Sequence, residues 1–298
     1  MIHLNKIKII TDSCSDLTKE MREKYDIDYV KMNTVISGKE QPASLDWEYY
    51  SPKEFYDIMR NGERITTTQV PEKEFEEKFT YWLEAGYDII YIGCSLALSG
   101  SVNMGEITAK RLREKYPDSQ IYCINSLNAC SGEGLLSIRA AKHRDSGLST
   151  DELAEKIISE RNNINQFCTV HSLDTLRRAG RVKASAAFFG NLLGVKPIII
   201  SDTEGNNTPI KKVKGRVNSL SEIVELTADA IADSDDKLII IAHADSSDDA
   251  QTLKEMINER IPDAETYTCY IGPIIGASIG PDAVALLSFG KDVSRFNI

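Results

Sequence analysis

The chain has 298 residues, 42% of them hydrophobic, which suffices for one large or two ordinary domains with a sizeable core. A formal net charge of −10 argues against nucleic acid or an anionic membrane surface as the main partner. No apolar run approaches the roughly 18 residues of a membrane span, no secretory signal precedes the first predicted strand, and the six cysteines contain no C-x-x-C pair. We therefore expect a soluble, reduced, cytoplasmic protein without a metal site.

Short β-branched runs alternate along the chain with amphipathic stretches. The predicted strands cover 7–10, 27–30, 87–92, 120–124, 166–170, 195–200, 237–242 and 265–270. The predicted helices cover 52–61, 71–85, 102–115, 132–145, 150–162, 221–232 and 247–260. This alternation predicts an α/β fold with substantial parallel strand pairing.

A polar stretch at 162–165 separates a predicted helix from a new strand, and we place a domain boundary there. The expected N-terminal domain, 1–163, has a mostly parallel sheet with flanking helices and carries the two hydroxyl-rich segments 66–71 and 95–101. The expected C-terminal domain, 164–298, is a mixed-sheet α/β unit. Its second polar stretch, 201–207, is typical of a hairpin turn.

Two hydroxyl-rich segments lie in the first third of the chain, each where a strand should lead into a helix. They read Thr66-Thr67-Thr68-Gln69-Val70-Pro71 and Ser95-Leu96-Ala97-Leu98-Ser99-Gly100-Ser101. Short hydroxyls and backbone N–H groups near helix N-termini suit an anionic headgroup better than bond-making chemistry. For Thr67 and Thr68, ligand contact and ordinary helix capping are equally open interpretations.

Ser95 invites comparison with a catalytic serine. A nucleophilic serine normally lies in G-x-S-x-G and needs a histidine and an acid, whereas here the turn reads Gly93-Cys94-Ser95-Leu96-Ala97 without the second glycine. Hydrogen-bond donation is the better interpretation. An acyl or phosphoryl hydrolase using Ser95 or Cys94 is one alternative function, and it requires His171 or His243 as the base. A docking module without a small ligand, acting through Arg177, Arg178 and Arg181, is the other alternative.

Three other positions combine a structural with a functional interpretation. Asp12 and Ser13 follow the first strand, where open α/β sheets place ligands. Hydrogen bonding to the backbone groups of the turn is nevertheless the favoured role of their side chains. Cys14 has no evident histidine partner, so an inert thiol is favoured over a reactive one. The Gly-Glu-Gly run at 132–134 favours close helix–strand packing over a dinucleotide loop.

Later in the chain, Arg177, Arg178 and Arg181 cluster in an otherwise acidic protein. A solvated face and a docking patch for an acidic partner or phosphorylated product are equally open. The glycine-rich segment 272–282 either lines an apolar cavity or forms a buried strand and turn.

In their order and spacing, several segments resemble those of the DegV family, whose members include the fatty-acid-binding subunits of bacterial fatty-acid kinase. The resemblance runs essentially end to end. Its segments are Thr11-Asp12-Ser13, Thr67-Thr68-Gln69, Ser95 to Ser101, Asn125-Ser126 with Ser131-Gly132-Glu133-Gly134, Ala179-Gly180-Arg181-Val182, Lys196-Pro197 and the glycine-rich C-terminal segment.

The resemblance implies two α/β domains with a long-chain fatty acid buried between or beneath them. It implies that Thr67, or Thr68 if the register slips, holds the carboxylate together with Ser95. It further implies that a partner, the catalytic subunit of fatty-acid kinase, phosphorylates the bound carboxylate. The chain itself is then a carrier without a cofactor rather than an enzyme.

Three positions depart from the family pattern. Leu96 replaces the second serine of a Ser-Ser pair, Ser278 replaces a histidine, and Asp282 replaces a glycine. A protonated histidine near the carboxylate would assist binding, whereas an aspartate would oppose it. We therefore expect Ser278 to help form a headgroup site that relies on neutral hydroxyls or takes a different ligand.

Overall fold

The protein is described here by a computed structural model covering residues 6–185, 188 and 194–296. Its strands are β1 (Lys6–Asp12), β2 (Ile27–Val30), β3 (Asn33–Ile36), β4 (Lys39–Pro42), β5 (Thr66–Thr68), β6 (Tyr87–Gly93), β7 (Ile121–Asn125), β8 (Ile164–Thr169), β9 (Val195–Ser201), β10 (Asn207–Lys214), β11 (Leu238–His243), β12 (Glu265–Tyr270) and β13 (Val284–Phe289). Its helices are α1 (Lys19–Lys24), α2 (Pro52–Arg60), α3 (Glu72–Glu84), α4 (Ser101–Lys115), α5 (Ser131–Asp145), α6 (Thr150–Glu160), α7 (Asp174–Ala179), α8 (Arg216–Ala230), α9 (Ser247–Arg260) and α10 (Pro273–Ile279).

These strands form three sheets. A four-stranded parallel sheet has the order β2-β1-β6-β7, and a small antiparallel sheet has the order β4-β3-β5. A six-stranded mixed sheet has the order β10-β9-β8-β13-β11-β12, in which only β11 and β12 pair in parallel. The predicted α/β class, with a mostly parallel first sheet and a mixed second sheet, is confirmed.

All predicted strands and helices are present, most of them with shifted ends. Eight elements were not predicted from the sequence: β3, β4, β5, β10, β13, α1, α7 and α10. The small sheet was missed because its strands are short and its burial pattern is mostly exposed or half-exposed. Of the two interpretations of the segment 272–282, the buried strand is wrong, since Pro273 opens a short apolar helix there.

All strands from Ile164 onward belong to the six-stranded sheet, and all earlier strands belong to the other two sheets. This change lies next to the predicted domain boundary. One continuous apolar cluster nevertheless includes Ile9 from β1, Leu135 from α5 and Ala285 from β13. The division into 1–163 and 164–298 as independent domains stays a prediction. Within the described part of the chain, no helix is both long enough and apolar enough to cross a bilayer.

Helix α5 lies between the two large sheets and contacts β1 and β6 on one side and β8 and β13 on the other. It is therefore buried around much of its circumference, including Leu135, Leu136 and Ile138. Gly134 permits this packing: an added Cβ would lie 2.5 Å from the Ser15 carbonyl oxygen. The predicted packing role of the Gly-Glu-Gly run thus has a direct geometric basis.

The middle of α5 is held by Arg139. Its guanidinium donates to Glu160 at 2.8 Å and to Asp236 at 3.0 Å, and it lies over the ring of Phe289. Glu160 also accepts from Lys156. Burial acts to raise the pKa of Glu160, but the hydrogen bonds from Arg139 and Lys156 outweigh it and lower the pKa to about 2.

Replacing Gly134 with alanine should destabilise the protein by about 1–3 kcal/mol, because the Ser15 carbonyl oxygen and the Leu17 side chain, both in the loop after β1, leave no room for a methyl group. Gly132→Ala is the matched control on the same turn of α5, where the nearest atom to an added Cβ is 3.2 Å away. Urea unfolding at neutral pH measures both. Equal stability of the two variants would contradict this account of the packing.

Glu160→Gln should lower the free energy of unfolding by about 1–3 kcal/mol at neutral pH. Because the pKa of Glu160 is lowered in the folded state, its contribution is present above pH 4.5 and is lost as the pH falls toward 2. The difference from wild type should therefore shrink in urea titrations between pH 5 and pH 3. The exposed neighbour Glu155, changed to Gln, should show no such trend, and a pH-independent difference would refute the assignment.

Candidate functional site

Two adjoining cavities lie where the loops of the first half meet the second half. The first has a volume of about 200 Å³ and the second about 220 Å³. Residues that line the first are Cys14, Met32, Thr67, Thr68, Gln69, Cys94, Leu98, Ser99, Gly100, Ala129, Cys130, Gln166, Cys168, Leu176, Arg181, Asn207, Ile271, Ile274, Ile275, Ser278, Ile279 and Ala285. Its wall is largely apolar, and α10 supplies much of it, as one interpretation of the glycine-rich segment expected.

The two cavities share Thr67, Arg181 and Ser278. Within the described residues, the hydroxyls of Thr67 and Ser278 have no hydrogen-bond partner, which leaves both available to a ligand. The Thr68 hydroxyl instead donates to Glu40 at 2.9 Å. Successive side chains of a strand point to opposite faces of the sheet, and Thr67 pairs with the buried Thr34. Thr67 and Thr68 therefore have different surroundings although they are neighbours on β5.

The place where the two cavities meet, lined by Thr67, Arg181 and Ser278, forms a polar corner. Ser95 lies apart from it. Its side chain is fully buried, its Oγ accepts from the Ala97 backbone N–H at 3.2 Å, and the hairpin turn at Gly205 packs directly over it. The cavity wall contains Ser99 instead, four residues further along the same segment. The structure thus brings Thr67, Thr68 and Ser278 together but does not bring Ser95 to the cavity surface. A role for Ser95 in ligand binding stays a prediction.

The two candidate bases of the hydrolase alternative are engaged elsewhere. The Nδ1 atom of His171 lies 2.9 Å from the Lys196 amine, and that of His243 accepts from the Ser246 backbone. Burial lowers the pKa of both imidazoles. Neither histidine hydrogen-bonds Ser95 or Cys94, so the geometry required for activating a nucleophile is missing from the described residues.

Leu96 and Asp282, two of the residues that depart from the family pattern, line neither cavity. Leu96 is exposed, and its backbone N–H donates to Asn125. The Asp282 carboxylate accepts from Arg60 at 2.7 Å, and Arg60 also pairs with Asp245. Since this carboxylate is paired with Arg60 and lines neither cavity, it does not bring negative charge to the polar corner.

The arginine cluster divides between two environments. Arg177 pairs with Asp174 on the surface of α7, whereas Arg178 and Arg181 line the second cavity together with Arg64. Arg64, Arg178 and Arg181 form no ion pair within the described residues. One acid, Glu63, also lines this cavity, and it accepts a hydrogen bond from Ser37. The second cavity therefore carries net positive charge in an acidic protein.

Asp12 has the structural role that its position favours. Its carboxylate accepts from the backbone of Cys14 at 2.8 Å and of Cys94 at 3.2 Å, and from the Tyr91 hydroxyl at 2.8 Å. Ser13 similarly bridges the backbone of Met32 and Ala43. These bonds fix the loops that follow β1 and β6, which form one side of the first cavity.

Burial opposes the ionisation of three groups at or behind this wall, Cys14, Glu133 and Asp16. The hydrogen bond with Cys94 and burial raise the pKa of the Cys14 thiol well above its ordinary value, as expected for an inert residue. Burial, followed by the charge of Asp12, raises the pKa of Glu133 well above its usual range. Burial also raises the pKa of Asp16 to about 7. Neutral forms of these groups suit an apolar wall.

Several polar residues of the first cavity were not identified as site residues from the sequence. Ser99 and Gln69 belong to the two hydroxyl-rich segments, so their position was an available signal. For Gln166 from β8 and Asn207 from β10 the sequence contained no such signal, because neither residue lies in a recognisable motif. They are joined by a hydrogen bond of 3.3 Å across β9.

Comparison with known proteins connects this geometry with one family. A family model of the DegV family matches residues 6–291. A DegV domain-containing protein of Clostridium perfringens is 36% identical over 287 residues, which cover 96% of this chain and 98% of the relative.

Solved structures have the same fold. DegV from Bacillus subtilis, described as a fatty acid binding protein, has a TM-score of 0.82 at 26% identity and covers 96% of this chain and 100% of its own. A DegV family protein from Thermus thermophilus, described by its fatty acid binding, has a TM-score of 0.85 at 22% identity with the same coverage.

Proposed function

Because the chain belongs to the DegV family, we propose that it binds a long-chain fatty acid with the tail in the first cavity and the carboxylate at the polar corner. The observation that carries this proposal is the combination of an apolar wall with two unpartnered hydroxyls, those of Thr67 and Ser278, where the cavities meet. The fatty acid binding of the solved relatives supports the same ligand class.

The tail supplies most of the binding free energy. Each buried methylene contributes about 0.8 kcal/mol, so some fifteen methylenes contribute roughly 12 kcal/mol before the entropic costs of binding. Ile274, Ile275 and Ile279 from α10 provide an apolar surface for this contact. The two cavities together reach the size typical of small-molecule sites.

The hydroxyls orient the ligand rather than drive its binding. A carboxylate at the polar corner needs hydrogen-bond donors, because an unsatisfied buried charge is costly. Thr67 is a better donor than Thr68, whose hydroxyl is committed to Glu40. Arg181 lines both cavities and adds positive charge at the same place.

We further propose that the carboxylate is presented to the catalytic subunit of a fatty-acid kinase, with this chain acting as a cytoplasmic carrier and not as the catalyst. The second cavity supports this step, since Arg64, Arg178 and Arg181 have no carboxylate partners within the described part of the chain. Such arginines favour phosphate groups and acidic partner surfaces. Arg177, on the adjoining surface, extends the proposed docking patch.

Thr67→Val should weaken oleate binding about tenfold or more, because it removes a hydrogen bond to a charged group while keeping the side-chain shape. Thr68→Val should change the affinity much less. Calorimetric titration of delipidated protein measures both, and mass spectrometry after gentle purification identifies any retained acyl lipid. Equal losses in the two variants would refute the choice of Thr67, and absence of any acyl lipid or oleate uptake would refute fatty-acid binding itself.

Arg178→Glu should reduce acyl phosphate formation by the partner kinase at least tenfold while leaving oleate affinity unchanged, because Arg178 lines the second cavity but not the first. Arg260→Glu, a charge reversal on α9 in an exposed pair with Glu225, is the control. Coupled assays with the kinase, ATP and loaded protein measure the effect. Unaltered turnover of Arg178→Glu would show that the patch does not serve the kinase.

A further inference from the structure

A sulfur-rich cluster lies on the wall of the first cavity and is not used by the proposed function. The thiols of Cys14 and Cys94 and a carboxylate oxygen of Glu133 all lie within 4.8 Å of one another. All three residues are buried, with exposed fractions of 2%, 2% and 0%. The two cysteines come from the loops after β1 and β6, and Glu133 comes from the first turn of α5.

Glu133 provides an independent indication of a missing ligand. Its Oε1 accepts from the Thr11 hydroxyl at 2.6 Å and from the Asp12 backbone at 3.3 Å. Its Oε2 is buried without a hydrogen-bond partner among the described residues. A buried carboxyl oxygen without a partner is costly whether or not the group is ionised, and a cation that displaces the proton would satisfy it.

Neighbouring groups hold the three candidate ligands in place by hydrogen bonds, as the groups around the ligands of known metal sites do. Asp12 accepts from the backbone N–H of both cysteines, and Thr11 fixes the orientation of the Glu133 carboxylate. Cys14 and Cys94 line the first cavity, which provides a route for an ion. These contacts restrict the backbone from which each ligand extends.

The ligand set selects among metal ions. Two thiolates with one carboxylate suit Zn²⁺, whereas Mg²⁺ and Ca²⁺ prefer oxygen ligands only. With Zn–S bonds of about 2.3 Å, two sulfurs of a tetrahedral site lie about 3.8 Å apart. The ligand atoms therefore need to approach one another by at most about 1 Å, which side-chain rotation can provide.

We propose that Cys14, Cys94 and Glu133 form a zinc site, with the fourth coordination position left to water or a ligand oxygen. On binding, the two thiols and the Glu133 carboxyl each release a proton to solvent and each ligand atom forms a bond to the metal, so no electrons are transferred. The sequence indicated no such site, because the three ligands come from three distant segments. The inference does not depend on fatty-acid binding.

Cobalt substitution tests the site in the full-length, delipidated protein kept reduced with a phosphine. One equivalent of Co²⁺ should produce a sulfur-to-cobalt charge-transfer band and tetrahedral visible bands, and Zn²⁺ should abolish both. Cys14→Ser and Cys94→Ser should each lose at least half of the charge-transfer intensity. Glu133→Gln should keep the band but bind Zn²⁺ about 10-fold to 100-fold more weakly.

Cys168→Ser is the matched control, since Cys168 lines the same cavity outside the cluster. It should leave the spectrum unchanged. Should a cluster variant fail to fold, alkylation of wild type with mass-spectrometric detection replaces it: Zn²⁺ should protect Cys14 and Cys94 but not Cys168. A missing charge-transfer band in wild type, its persistence in Cys14→Ser/Cys94→Ser, or the absence of selective protection would each overturn the proposal.

Discussion

Helix α5 packs against both large sheets, and the position of the loops that form one side of the first cavity depends on that contact. Its first turn touches the loop after β1 through Gly134, and Arg139 in its middle contacts Glu160 of α6 and Phe289 of the six-stranded sheet. A helix buried on opposite sides cannot shift without separating one sheet from it. The loops after β1 and β6 are consequently held opposite α10, and the space between them is the first cavity.

The chemistry of that space follows from which groups remain without partners. Asp12 and Asp282 are fully engaged, one by backbone N–H groups and the other by Arg60. The hydrogen bond with Cys94 and burial raise the pKa of the Cys14 thiol on the cavity wall and so oppose its ionisation. Among the described residues, the groups without partners at the junction of the two cavities are the hydroxyls of Thr67 and Ser278, and arginines line the second cavity beside them. An amphiphile with an anionic headgroup requires this arrangement.

Much of the fold was predictable because the two large sheets consist of β-branched runs bounded by turn residues, such as those of β6 and β11. Capping signals were equally local: Ser51 and Glu54 form the capping box that begins α2. The elements that escaped prediction have ambiguous periodicity. The apolar residues of α10 fit a buried strand as well as a helix, and the threonines of β5 become a strand only because β3 lies beside them.

The order of residues along the chain was sufficient to establish the α/β class, the two hydroxyl-rich segments and the family, because these depend on local periodicity and on motif order. It could not distinguish Thr67 from Thr68, or Ser95 from Ser99. Those distinctions depend on which side of a strand faces the cavity and on which loop covers a hydroxyl, and both are set by packing between segments far apart in the chain. The grouping of Cys14, Cys94 and Glu133 likewise exists only because α5 lies against the ends of β1 and β6.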